Sequence, residues 1–113
     1  MTPAILLRNA RTLIADPGRW TTGCAARDGD GRSVMPERLE AVCFDGFGAL
    51  VGLAPDAPDL RDRAAEALNA VVGPIGWSSW QDAPARTHAE VLAAMNRAIA
   101  AANSVAQLAT VRT

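Results

Sequence analysis

The sequence predicts a mainly α (α+β) fold: a compact four-helix domain with one small β-hairpin, occupying residues 1–113 as a single domain. Three observations predict it. Apolar residues recur at helical spacing in four separate stretches. Those stretches are bounded by capping and breaking residues, among them Thr2-Pro3, Asp16-Pro17-Gly18 and Gly73-Pro74. One run, Asp28-Gly29-Asp30-Gly31, has hairpin-turn chemistry, because Asp and Gly tolerate the positive φ of a tight turn. A chain of 113 residues with 50% apolar and 20% charged residues can bury a modest core.

The first helix is expected near 3–15, with Thr2 as cap, Pro3 in the first turn and Leu6, Ala10, Leu13 and Ile14 on one face. The hairpin is expected near 20–35, its short arms anchored on the helices by Trp20. The second helix is expected near 37–53, with a wide apolar face from Leu39 to Leu53. Gly46 and Gly48 inside it each cost about 1 kcal/mol relative to alanine, which points to close approach of a neighbouring backbone. The third helix is expected near 60–72 with Asp59 as its cap. The fourth, near 87–102, opens on Thr87-His88-Ala89-Glu90, the spacing of a capping box. The last ten residues are expected either to fray or to dock through Val105 and Leu108.

Charge and composition narrow the function classes. The formal net charge is -1 and the pI about 5.7, whereas a protein that relies on phosphate contacts carries a basic surface; no nucleic-acid partner is expected. All eleven basic residues are arginine, read as the codon bias of a GC-rich bacterial genome. Only Ile5, Leu6 and Leu7 run unbroken before Arg8, too few for a signal core. No stretch nears the ~20 apolar residues that span a bilayer. A cytoplasmic protein without membrane insertion is expected, with Cys24 and Cys43 reduced.

The candidate catalytic residues are Cys43, His88 and Asp82. A thiolate at Cys43, activated by His88 and with the ring oriented by Asp82, is the minimum for a Cys-dependent hydrolase or transferase. The simpler reading makes Cys43 a small buried hydrophobe between Val42 and Phe44. It makes Asp82 a loop residue bonded to backbone N–H groups, with Arg86 available as an ion partner. No metal and no cofactor is expected: one histidine and two cysteines 19 apart do not make a zinc site. An EF-hand reading of Asp28, Asp30 and Glu37 puts Ala26 where a carboxylate is required. The partner-binding candidates are Trp77, Trp80 and Arg86, since Trp and Arg dominate interface hot spots; the competing reading caps the core with the indoles, N–H groups bonded to backbone.

Three segments carry a family resemblance: LIADPGRWTTG around Trp20 and Gly23, AVCFDGFGALVGLA around Cys43 and Gly48, and WSSWQDAPARTHAEVLAAMNRAI around Trp80, Asp82, Thr87 and Glu90. On these the chain resembles domain of unknown function 6197, a family of uncharacterised bacterial and phage proteins. It departs from that pattern by two extra residues between Cys43 and Gly48 and by Gln81 in place of Asn. The resemblance implies a compact domain and no particular chemistry. The functional expectation is therefore a non-enzymatic accessory or binding module acting through a protein partner, a different chain or a second copy. The alternatives are the Cys-dependent enzyme and a small-molecule sensor.

Overall fold

The computed structural model describes residues 1–112, with side chains described through Val105. Helix α1 (Pro3–Ala15) forms as the sequence predicts. Thr2 caps it, its hydroxyl accepting the Ile5 N–H at 3.2 Å, and Asp16 closes it by accepting the Gly18 N–H at 2.9 Å. Leu6, Leu7, Ala10 and Ile14 are fully buried. Each of the larger side chains contributes roughly 1.5–3 kcal/mol through its burial.

The turn at Asp28–Gly31 forms as expected: the Asp28 carboxylate accepts the N–H groups of Asp30 and Arg32, both at 2.9 Å, and Gly31 has φ +82. The arms meet at a single bridge, Arg27 opposite Ser33, where the Asp28 N–H donates to Arg32 O and the Val34 N–H to Ala26 O. Strand β1 (Ala26–Arg27) takes its main partner from further along, strand β2 (Cys43–Phe44), antiparallel with Ala26 opposite Phe44 and Arg27 opposite Cys43.

That pairing corrects the second helix. The expected span of 37–53 is helical only as α2 (Gly46–Leu53). Residues 37–42 instead form two successive turns, Arg38 N–H to Met35 O and Ala41 N–H to Arg38 O. The physical reason is Asp45. Its carboxylate accepts the Gly48 N–H at 2.5 Å as an N-cap, so the helix begins after it. The residues before it satisfy their backbone groups against β1.

Helix α3 (Pro58–Val72) starts with Pro58 in its first turn and Ala57 as N-cap. Asp59, expected to cap it, lies inside the first turn, where its charge still favours the positive helix end. A short helix the sequence reading did not contain, α4 (Trp77–Gln81), follows, with the Trp77 N–H held by the Asn69 side chain at 2.8 Å. Helix α5 (His88–Arg112) opens on the predicted capping box: Glu90 N–H to Thr87 Oγ1 at 3.1 Å and Thr87 N–H to Glu90 Oε1 at 2.9 Å. It runs ten residues beyond the expected end near 102. The side chain of Leu108, through which the tail was expected to dock, lies outside the described residues.

Helices α1 and α5 lie antiparallel. At one end Arg11 Nε donates to Leu92 O (3.4 Å) and His88 Nε2 meets Ile14 O (2.6 Å). At the other, Thr2 and Pro3 stand level with Ala101–Val105. Helix α3 packs against both, and α2 against α1 and α3. Among the described residues no helix is long and apolar enough to cross a membrane.

Candidate functional site

The three candidate catalytic residues are engaged separately. Cys43 is half-buried on β2, with its thiol directed at Arg27 O (3.9 Å). His88 stands at the first turn of α5, with Nε2 donating to Ile14 O and its ring 4.9 Å from that of Trp20. A carbonyl oxygen only accepts, so Nε2 carries the hydrogen in this bond. The Asp82 carboxylate accepts the N–H of Gly23 at 3.1 Å, closing the loop after Trp20, where Gly23 takes φ +83. None of the three hydrogen-bonds to another of them. Among the described residues no group of three or more His, Cys, Asp or Glu is gathered closely enough to hold a metal.

Of the candidate partner-binding residues, Trp77 is core: it is 3% exposed, and its indole N–H donates to Gln81 Oε1 at 2.9 Å. That corrects its assignment as a contact residue, since a hot spot must be reachable. The indole also bonds a side chain rather than backbone. Trp80 is half-buried, its ring 5.2 Å from that of Trp77 and covered by the Arg86 guanidinium at 3.9 Å. Arg86 bonds Trp80 O and Glu90 Oε2, not Asp82.

Sequence reasoning missed the buried polar centre. Gln81 is fully buried and Asp45 is 6% exposed. Gln81 Oε1 accepts the Gly46 N–H (3.0 Å) together with the Trp77 indole, and its Nε2 donates to Asp45 Oδ2 (2.7 Å). Burial pushes the Asp45 carboxyl up to about 6, against the hydrogen bonds from Gly48 and Gln81, and the nearby Asp82 charge adds to the rise. The Asp-Gly-Phe-Gly segment was the available signal, because an Asp before such a run is a helix start. Every polar group of this centre is bonded within the protein, so it ties α2 to α4 and offers nothing to a ligand.

The surface with unused capacity lies elsewhere. An open groove of about 600 Å³ runs between α3 and the C-terminal half of α5, closed at one end by Thr2 and Pro3. Its walls are small and apolar: Ala67 and Ala70 on α3, Ala101 and Ala102 on α5. Val105, at its edge, is 68% exposed. Met1 (71%) and Ile5 (43%), beside Thr2, are also solvent-facing. Arg63 and Glu66 supply its charge. By contrast, the space between α2, α3 and α4 beside Phe47, Leu68 and Trp77 holds about 170 Å³.

Compared with known proteins, residues 1–101 match the model of a family of unknown function, DUF6197. No curated protein and no solved structure matches the chain.

Proposed function

The chain belongs to the family of unknown function DUF6197, and from that premise we propose that it is a non-enzymatic accessory module of the bacterial cytoplasm that binds a protein partner in the groove between α3 and α5. The observation that carries the proposal is the groove itself, with alanine walls and the exposed Val105 at its rim. Alanines allow a partner's backbone to come close, so large apolar side chains from the partner can fill the depression. Each Å² of apolar surface covered this way contributes roughly 25 cal/mol. Exposed apolar residues scattered singly mean little, but Val105 lines the same depression as the four alanines. Arg63 and Glu66 add a charge pattern that selects among partners.

The enzyme reading would require the Cys43 thiol and the His88 ring within hydrogen-bond reach, whereas they are bonded to the carbonyls of Arg27 and Ile14. A sensor would require a pocket that encloses its ligand, whereas the space beside Trp77 holds only about 170 Å³ and the larger groove lies open to solvent.

The test is a photo-crosslinking residue placed at Ala70 or Ala101 of the full chain in its own host. A control at Ala89 lies at the opposite end of α5. A discrete protein adduct from both groove positions, absent from Ala89 and abolished by Val105→Asp, is the expected result. No adduct from the groove, or equal adducts from Ala89, would sink the proposal.

A further inference from the structure

We infer that the occupant of the groove is a second copy of this chain, docked across a two-fold axis between Glu66 and Ala67, with Arg63 of each copy paired to the other copy's Glu66. The inference rests on the groove being the binding surface proposed above, and it names what fills it.

A two-fold interface has to be self-complementary, since the same patch serves both sides. This patch meets that requirement in shape. It holds a depression walled by Ala67, Ala70 and Ala101, and beside it the exposed Val105 that would fill such a depression. It also meets the requirement in charge. Arg63, Glu66, Ala67 and Ala70 fall at i, i+3, i+4 and i+7 on α3 and form one stripe along the groove. Neither Arg63 nor Glu66 is in an ion pair among the described residues; the ion pairs there are Arg38–Glu40 and Arg86–Glu90. When two such stripes meet antiparallel about that axis, each Arg63 lies about one helical turn from the opposing Glu66, roughly 6 Å along the helix and within reach of an arginine. The arrangement sets Glu66 of each copy against Ala67 of the other beside the axis and Arg63 against Ala70 one turn away, and each Arg63 reaches back to neutralise the opposing Glu66.

The length of α5 points the same way. Thr2 and Pro3 stand level with Ala101–Val105, so the helix continues past the start of α1 to Arg112, about 10–15 Å further. Val105, where this projection begins, is 68% exposed. A helix that projects past its neighbours gains its stability from a packed surface rather than from propensity, and a second copy supplies one.

The experiment is sedimentation and light scattering of the full chain over a wide concentration range. The expected species has twice the 11.8 kDa chain mass. Arg63→Glu alone and Glu66→Arg alone each weaken the dimer at least tenfold, with thermal unfolding confirming that each variant still folds. An equimolar mixture of the two variants recovers the dimer, because both pairs are again of opposite charge. In the mixed dimer the introduced glutamate of one copy faces the introduced arginine of the other, and the native Arg63 of one copy faces the native Glu66 of the other. A chain that stays monomeric at every concentration overturns the inference, as does a dimer indifferent to both charge reversals. If the chain is monomeric while Ala70 still crosslinks another polypeptide, the groove reading stands and only the second copy falls. If both experiments are blank, both readings fall.

Discussion

The amide nitrogen of Gln81 donates to the carboxylate of Asp45 across 2.7 Å, and the orientation of that amide leaves no alternative. Its oxygen already receives two N–H groups, from Gly46 and from the Trp77 indole. Turning the amide over would set donors against donors on one side and leave the carboxylate without its partner on the other. The pair therefore joins the start of α2 to the short helix α4 through bonds of fixed polarity. Leaving one such buried group unbonded costs roughly 1–3 kcal/mol.

The first prediction concerns pH. Burial raises the Asp45 carboxyl from 3.8 to about 6 in the folded protein. A carboxyl with a raised folded value binds its proton more tightly when folded. Its contribution to stability is therefore complete below about pH 4 and lost as the pH rises through about 6. A rise of this size corresponds to at most about 3 kcal/mol. Asp45→Asn removes the titration, although an asparagine cannot accept from Gly48 and Gln81 together. The expected outcome is therefore a slope rather than an offset: wild-type stability minus variant stability falls between about pH 4 and about pH 6. Urea unfolding across that range measures it, and parallel curves would mean that Asp45 does not carry the pH dependence.

Gly48 gives a second prediction. A Cβ there would overlap the Ala25 carbonyl oxygen, which is backbone and cannot swing away. Gly48→Ala gains about 1 kcal/mol of helix propensity and loses more through the displaced backbone, for a net destabilisation of roughly 1–3 kcal/mol. Gly29→Ala, at a position where nothing lies within 4 Å, stays within about 0.5 kcal/mol of wild type. Thermal unfolding of the two variants side by side checks the contrast, and a neutral Gly48→Ala would contradict the packing of α2 on the loop.

What could be read in advance was local. Thr2-Pro3 and Asp16-Pro17-Gly18 mark both ends of α1, and Thr87 with Glu90 marks the start of α5, because caps act over three or four residues. The close backbone approach at Gly48 was legible for the same reason: an unfavourable residue in a helix implies a neighbour. The split of residues 37–53 was not legible by periodicity. The apolar pattern from Val42 to Leu53, interrupted only by Asp45 and three glycines, passes through a strand, a cap and a helix. Phe44 joins a sheet only because Ala26, eighteen positions earlier, faces it. Helix α4 is five residues long and held by Asn69 and Gln81 through bonds to other elements. The groove left no mark in the sequence at all, since its alanines become a wall only when α3 and α5 are brought together.

The two cysteines yield a third prediction. Cys43 stands opposite Arg27 in the sheet, while Cys24 lies in the bend that leads into β1. Their thiols bond different carbonyls, Arg27 O and Ala26 O. A disulfide needs Cα atoms within about 7 Å. Mild oxidation of the folded monomer should therefore leave both thiols unpaired with each other. Mass spectrometry of the oxidised chain under non-reducing conditions reads this directly, and loss of two hydrogens, prevented by Cys24→Ser, would show that the loop brings the thiols together.

The last prediction separates stability from binding at the tryptophans. Trp77 is buried, donates to Gln81 and lies against Gly46, where even a methyl group would come within 2.6 Å of the indole nitrogen. Trp77→Ala empties that space and removes one of the two donors to the Gln81 oxygen, so it should cost roughly 3–5 kcal/mol. Trp80 is only half-buried, and its replacement by Ala removes the stack with Trp77 and the ring beneath Arg86. That loss is smaller, roughly 1–2 kcal/mol. Both residues belong to α4, and neither lines the groove. Trp80→Ala should therefore leave association at the groove unchanged, while Val105→Asp abolishes association and leaves the unfolding midpoint within a few degrees of wild type. Denaturant titration and sedimentation of the three variants measure the two effects separately. If Trp80→Ala dissociated a complex that Val105→Asp left intact, the binding surface would lie at the Trp80–Arg86 stack and not in the groove.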